Sequence, residues 1–200
     1  MLKNSRTSWG KVSRWFHWGT VLLIVIQIPL GFYLVEVYDV YKQTYGDDTQ
    51  LMRVSNWHNT LGFVVLIVVT ARLLWRVSQS LPDATPGLAA YQRVLSYLTH
   101  ITLYVLLLLY PLSGWAALSA YEFDFPIFFF GWDSVPGIVP SVKEGEGFDY
   151  PFFAGIHKLC WKIGAGVLGL HVIAALWHQY VRRDNVLRRM VRGSDGGGKA

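Results

Sequence analysis

The stretch HKLCWKIGAGVLGLH at residues 157–171 places two histidines fourteen residues apart inside an apolar run. On a helix, fourteen residues advance about 21 Å and turn about 40° short of four full turns. His157 and His171 therefore face the same way at two depths, with Gly164 midway between them on that face. The apolar run spans residues 152–177, and a bilayer core takes about 20 residues to cross. Titratable side chains inside such a span are costly and mark function.

Three more runs of this kind lie at residues 13–35, 54–75 and 94–117. The whole 200-residue chain is 52% apolar, 16% aromatic and only 16% charged, whereas charged residues make up about a quarter of a soluble domain. The expected fold is all-α, an integral membrane four-helix bundle. Residues 1–192 form one domain and 193–200 a flexible tail around Gly196, Gly197 and Gly198. The first run is read as a retained helix, because nothing after Val35 resembles a small-residue cleavage site. Cys160 is the sole cysteine, which excludes a disulfide framework, a cysteine zinc site, an iron–sulfur cluster held by this chain alone and covalent c-type haem. Disorder and a nucleic-acid-binding role are excluded too, since the net charge of +5 sits on the flanks of apolar runs.

Those flanks orient the chain. Lys3, Arg6, Lys11, Arg14, Arg72, Arg76, Arg93, Arg182, Arg183, Arg188, Arg189, Arg192 and Lys199 fall on the side that carries both termini, with only three acids, Asp83, Asp184 and Asp195. The opposite side holds Lys42, Arg53, Lys143, Lys158 and Lys162 with the other ten acids. Basic loops stay in the cytoplasm, so both termini are expected there. The segment at residues 120–151 carries Pro126, Pro136, Pro140 and Pro151 beside Phe128, Phe129, Phe130 and Trp132. Such aromatics favour the membrane–water boundary, so this segment reads as a lid over the outer end or as a tolerated insertion.

Two inward histidines one leaflet apart are what two stacked b-type haems require, each needing a second nitrogen from another helix. His58 lies at the outer end of the second span, level with His157, and His17 near the inner end of the first, level with His171. Gly31 and Gly114 follow His17 and His100 by fourteen residues, and a residue without a side chain lets a flat macrocycle approach the backbone. They serve close helix packing equally well. Arg72 follows His58 by fourteen residues, which makes it a candidate to hold a haem propionate or a quinone head-group, or simply a positive-inside residue. His100 and His178 are candidates for hydrogen bonds to quinone or between helices. On the outer side Arg53, Lys158 and Lys162 are candidates to attract a small anion, to hold propionates or to snorkel to lipid head-groups.

The motifs Ser13-Arg14-Trp15-Phe16-His17-Trp18, Asn56-Trp57-His58-Asn59-Thr60-Leu61-Gly62, Tyr110-Pro111-Leu112-Ser113-Gly114-Trp115, Phe129-Phe130-Gly131, His171 to Tyr180 and Arg183 to Met190 occur in that order along the chain. Together they resemble the bacterial cytochrome b561 family. The resemblance implies a four-helix inner-membrane protein with two haems b, exchanging electrons with ubiquinone. One family type is a superoxide:ubiquinone oxidoreductase, so the partner expected on the periplasmic side is superoxide or a periplasmic redox protein. Carried over by position, the axial pairs are His17 with His171 on the cytoplasmic haem and His58 with His157 on the periplasmic one. The long segment after the third span departs from the family pattern, which leaves the outer partner open. Two rival readings are a membrane-anchor cytochrome subunit that passes electrons from a soluble dehydrogenase or hydrogenase to quinone, and a haem-free transporter or structural protein.

Overall fold

A computed structural model describes residues 1–83, 87–123 and 125–193. Four long helices dominate: α1 (Lys11–Thr44), α2 (Thr49–Val77), α3 (Ala90–Ser119) and α4 (Tyr150–Trp177). All four are long and apolar enough to cross a membrane, α4 together with the turn that follows it. A π-helical turn (His178–Arg182) continues α4, and a short α5 (Val186–Val191) follows. The end of the bundle where α1 begins is called basal below, and the end where α4 begins apical. Residues 194–200, most of the expected flexible tail, lie outside the described residues. Gly193 rests on Arg14, whose Cζ would lie 3.2 Å from an added Cβ.

The helices overrun the apolar runs. α1 has 34 residues, about 51 Å of helix against a hydrocarbon core of about 30 Å. Its last turns carry Glu36, Asp39 and Lys42 past Val35, and it stops at Tyr45, a left-handed residue whose N–H reaches the Tyr41 carbonyl at 2.8 Å. Pro29 and Pro111 sit inside α1 and α3 without ending them, as intramembrane prolines can where neighbouring groups satisfy the freed carbonyls. The start of α4 is fixed chemically. Asp149 accepts from Gly145 N at 2.7 Å and from Phe152 N at 3.0 Å, and these two bonds hold its carboxyl below the usual carboxylate range.

α1 packs closely along α2 and α3 along α4, while α2 meets α3 less extensively and α1 and α4 are held apart. The tightly buried positions are small or β-branched: Thr60, Val65 and Val69 on α2, Ser113, Ala116 and Ala117 on α3. Small side chains let helix backbones approach where lipid supplies no hydrophobic drive. Large apolar residues such as Leu22, Ile67 and Val105 point outward.

The segment joining α3 to α4 lies over the apical end and is tied to it. Trp115 donates its indole N–H to the Pro136 carbonyl at 3.0 Å, the Ile138 N–H reaches Ser119 Oγ at 3.1 Å, and Ile127 is buried. Phe129 packs against Phe63 of α2, which in turn meets the Trp115 ring edge-on. Phe130 and Gly131 make the turn between Phe129 and Trp132 with φ of 45° and 87°. A two-residue hairpin turn requires this left-handed pair, and glycine supplies the second position without strain. At the basal end the Arg14 guanidinium donates to the Val191 carbonyl at 3.0 Å and the Trp18 indole to the Met190 carbonyl at 3.1 Å. α5 is thereby strapped from α4 across to the start of α1.

Candidate functional site

Four histidines meet in two pairs at the two depths. At the apical level the rings of His58 (α2) and His157 (α4) have centres 6.3 Å apart. At the basal level His17 (α1) and His171 (α4) stand 6.4 Å apart. Two imidazoles bound on opposite faces of one ion, at metal–nitrogen distances of about 2 Å, put their ring centres about 6.3 Å apart. Both pairs match that span across the cleft between helices.

At the apical level Nδ1 of each ring is engaged. His157 Nδ1 faces the Tyr110 carbonyl at 2.8 Å and Ser113 Oγ at 3.2 Å, and its ring stacks on Tyr110. A proton on Nδ1 donated to that carbonyl leaves Nε2 with the lone pair a metal needs. His58 Nδ1 lies 3.2 Å from the Gln27 amide nitrogen, which also donates to the His58 carbonyl at 3.0 Å. Gln27 is buried and its Oε1 has no partner. Were His58 to give Nε2 to a metal, Nδ1 would carry the proton, and turning the Gln27 amide would bring its unpartnered Oε1 to that proton in exchange for the bond to the His58 carbonyl. Gly31 and Gly114 flank the same two rings. A Cβ at Gly31 would lie 3.3 Å from His58 Cε1, and one at Gly114 3.0 Å from His157 Cε1. Both distances are tighter than most side-chain contacts, the second the more so, and a Cβ at Gly114 would press the His157 ring out of its position by a few tenths of an ångström.

The basal level is dressed differently. Arg72 Nη2 is 3.1 Å from His17 Nδ1, and the guanidinium lies over the Tyr104 ring at 5.2 Å, with Arg76 over the same ring at 5.5 Å. A guanidinium can only donate, so an imidazole that carries its proton on Nδ1 must release it. Arg72 is then a half-buried cation free to hold a carboxylate or a carbonyl oxygen. His100 joins this level, its ring centre 5.3 Å from that of His171 and its Nδ1 donating to the Ser96 carbonyl at 2.6 Å. That separation is about 1 Å short of what two ligands of one ion require, which favours His17 over His100 as the partner of His171. His178 is not part of this cluster. Its Nδ1 bonds Asp184, which Arg182 also approaches at 3.4 Å, so it closes the chain reversal after α4.

Arg53 and Lys158 are exposed near the apical end, whereas Lys162 is exposed further along α4, below the level of His157 and close to Gly164. Gly164 has open space where its Cβ would be. Gln27, Ser113 and the Tyr110 carbonyl are not among the residues the sequence points to. Gln27 carries a usable signal, a polar residue inside a span four positions before Gly31 on the same helix face, and so does Ser113, which immediately precedes Gly114. The donor set, four imidazoles in two spanning pairs with Nδ1 engaged on His17, His58 and His157 and a glycine cradle at the apical pair, fits b-type haem.

The sequence model of a family described as prokaryotic cytochrome b561 matches residues 8–193. Among characterised proteins, the chain is 26% identical to cytochrome b561 homolog 2 of Escherichia coli (strain K12) over 189 residues, 94% of this chain and 93% of that one. It is 29% identical to cytochrome b561 homolog 1 of the same organism over 182 residues, covering 91% and 96%. A Yersinia pestis protein described as a probable superoxide oxidase CybB is 25% identical over 176 residues, covering 88% and 90%.

Proposed function

The chain belongs to the prokaryotic cytochrome b561 family of haem-binding membrane electron-transfer proteins, and on that premise we propose that it carries two b-type haems in series and links ubiquinone to a one-electron donor at the apical end. His58 and His157 hold the apical haem, His17 and His171 the basal one. The observation that carries this reading is the pair of ring separations, 6.3 Å and 6.4 Å. Bound there, bis-imidazole haem supplies reversible one-electron exchange with no open coordination position. The residues do the rest: the Tyr110 carbonyl, Ser113 and Gln27 orient the apical imidazoles, and the strapped apical segment covers the bundle end.

The basal end, with most of the Lys and Arg side chains, faces the cytoplasm of a bacterial inner membrane by the charge rule. Ubiquinone is assigned to that end, where Arg72 offers a donor to a quinone oxygen or a propionate and His100 is the adjacent titratable group. His178, tied to Asp184 at the basal rim, is the second candidate for proton supply. For the apical end the donor that fits best is superoxide. Its support is the name of the Yersinia pestis relative and the exposed apical cations Arg53 and Lys158, which favour a small anion, with Lys162 further along α4 better suited to a lipid head-group or propionate. The balanced reaction is two superoxide, one quinone and two protons to two dioxygen and one quinol.

Pyridine haemochrome analysis of the purified protein tests the haem content, with two haems b per chain expected and none or one overturning the reading. Spectroscopic reduction of the protein by an anaerobic quinol, and by enzymatically generated superoxide in the presence of catalase, tests the two partners. Failure of superoxide to reduce it faster than a superoxide dismutase control would remove that donor and leave a docked redox protein in its place.

A further inference from the structure

We propose that Arg72 makes the basal haem the electron sink of the chain, holding it at a higher reduction potential than the apical haem, so that electrons run from the apical end to the basal one. This rests on the two-haem reading above and adds to it the residue that sets the order of the two potentials. One-electron reduction of a bis-imidazole iron makes and breaks no bond. The site simply gains one negative charge, and a fixed cation nearby favours that change. The effect is large when the cation is buried and small when water and salt screen it.

The two sites differ in this respect. At the basal site the Arg72 guanidinium touches the His17 ring, 3.1 Å from Nδ1, and Arg76 shares the Tyr104 ring with it. Arg72 is half-buried among α1, α2 and α3. The described acids of that end are committed elsewhere: Asp83 to Arg6 at 3.2 Å, and Asp184 to His178 and Arg182. At the apical site the groups against the imidazoles are neutral, namely Gln27, the Tyr110 carbonyl and Ser113. Its cations Arg53 and Lys158 are exposed, as is Lys162 further along α4. A haem brings the same carboxylates to either place, so the difference between the sites lies with the protein.

Hydrogen bonding at Nδ1 acts in the same sense. A carbonyl that accepts the Nδ1 proton, as Tyr110 does for His157, makes the imidazole a better electron donor and stabilises the oxidised iron. At His17 the neighbour of Nδ1 is a guanidinium, which offers no acceptor, so that ligand lacks this stabilisation of the oxidised iron. Charge and ligand basicity therefore both raise the basal potential relative to the apical one.

An equilibrium redox titration of the purified protein, followed at the haem α-band, reads the effect directly. Two one-electron steps are expected. In Arg72→Gln the upper step falls toward the lower one, which stays put, while Arg72→Lys keeps the upper step close to its original position. Arg76→Gln leaves the His17 contact intact and gives a smaller fall of the same step, which serves if Arg72→Gln loses the basal haem. In His157→Ala, which keeps only the basal haem, the surviving step is the upper one. If the surviving step is instead the lower one, or if removing either arginine charge leaves the upper step unmoved, the assignment is overturned. One haem per chain in the unsubstituted protein would overturn the two-haem reading itself, a result the haem count separates from an inverted order.

Discussion

The apical and basal histidine pairs span the same distance and are built from opposite materials. The apical pair sits among neutral hydrogen-bonding groups and two glycines, under a tethered aromatic segment. The basal pair has a third histidine at its side and two arginines on one tyrosine ring. Under the two-haem proposal the spacing of the pairs is what would let iron be held, and it is nearly the same at both ends. The surroundings would decide what that iron does, and there the ends part. The apical site is built to fix its ligands, and the basal site to set a charge and to offer donors and a titratable group to a partner.

The largest effect expected from breaking this comparison is loss of one site with survival of the other. His157→Ala and His58→Ala should each leave one haem per chain, the basal one, and His17→Ala and His171→Ala should leave the apical one. Haem content with the redox titration distinguishes the two cases. His100→Ala should keep both haems, because its ring is too close to His171 to share an ion with it. Loss of the basal haem in His100→Ala with retention in His17→Ala would replace the basal pairing.

A smaller loss should follow from filling the apical cradle. In Gly114→Val the new Cβ would arrive 3.0 Å from His157 Cε1, with the ring already held by the Tyr110 carbonyl on α3. The ring must swing off its axis, and the variant should purify with clearly less than a full second haem. Gly31→Ala, at 3.3 Å from His58 Cε1, should lose less, since a few tenths of an ångström of ring movement relieves it. Equal haem content in Gly114→Val and the unsubstituted protein would show that His157 is not fixed in this way.

Most of the scaffold and the four paired histidines are readable before any coordinates, and the reason is periodicity. A helix converts a spacing of fourteen into a depth and a direction, so His157, His171 and the positions level with them can be found along one dimension. Distances between helices cannot be found that way. The 5.3 Å approach of His100 to His171 and the turning of His178 toward Asp184 depend on how α3 and α4 pack and on the π-helical reversal. The Tyr110 carbonyl is invisible for another reason, because every residue has one and only the fold makes this one a ligand's partner. The overrun of α1 to Thr44 is hidden because hydropathy reports the lipid boundary, while the helix ends where its backbone turns left-handed at Tyr45.

Gln27 separates orientation from ligation at the apical site. Gln27→Leu keeps the volume and removes the one side chain that, among the described residues, hydrogen-bonds His58 Nδ1. Partners of this kind are worth about ten- to a hundred-fold in metal affinity, so the variant should lose its apical haem at correspondingly lower competitor concentrations in an apomyoglobin capture assay. The basal haem should be retained as in the unsubstituted protein. An apical haem held equally well would leave the His58 carbonyl bond as the whole role of Gln27.

The smallest expected effect concerns the two ends of α4, each of which has an aspartate with a different task. Asp184 clamps His178 and Arg182 where the helix reverses, whereas Asp149 accepts two backbone N–H groups where it begins. Those bonds favour the charged carboxylate, so its folded value lies below the ordinary 3.8. A depressed carboxylate stabilises the fold at pH above the ordinary value, and that contribution fades as the pH falls below 3.8 through the folded value. Asp149→Ala should therefore lower the thermal unfolding midpoint at neutral pH by a few degrees, as loss of a helix cap does, with no change in haem content. The difference from the unsubstituted protein should shrink when both are measured in acid. A gap that persists undiminished below the folded value would mean that Asp149 acts through packing and not through its charge.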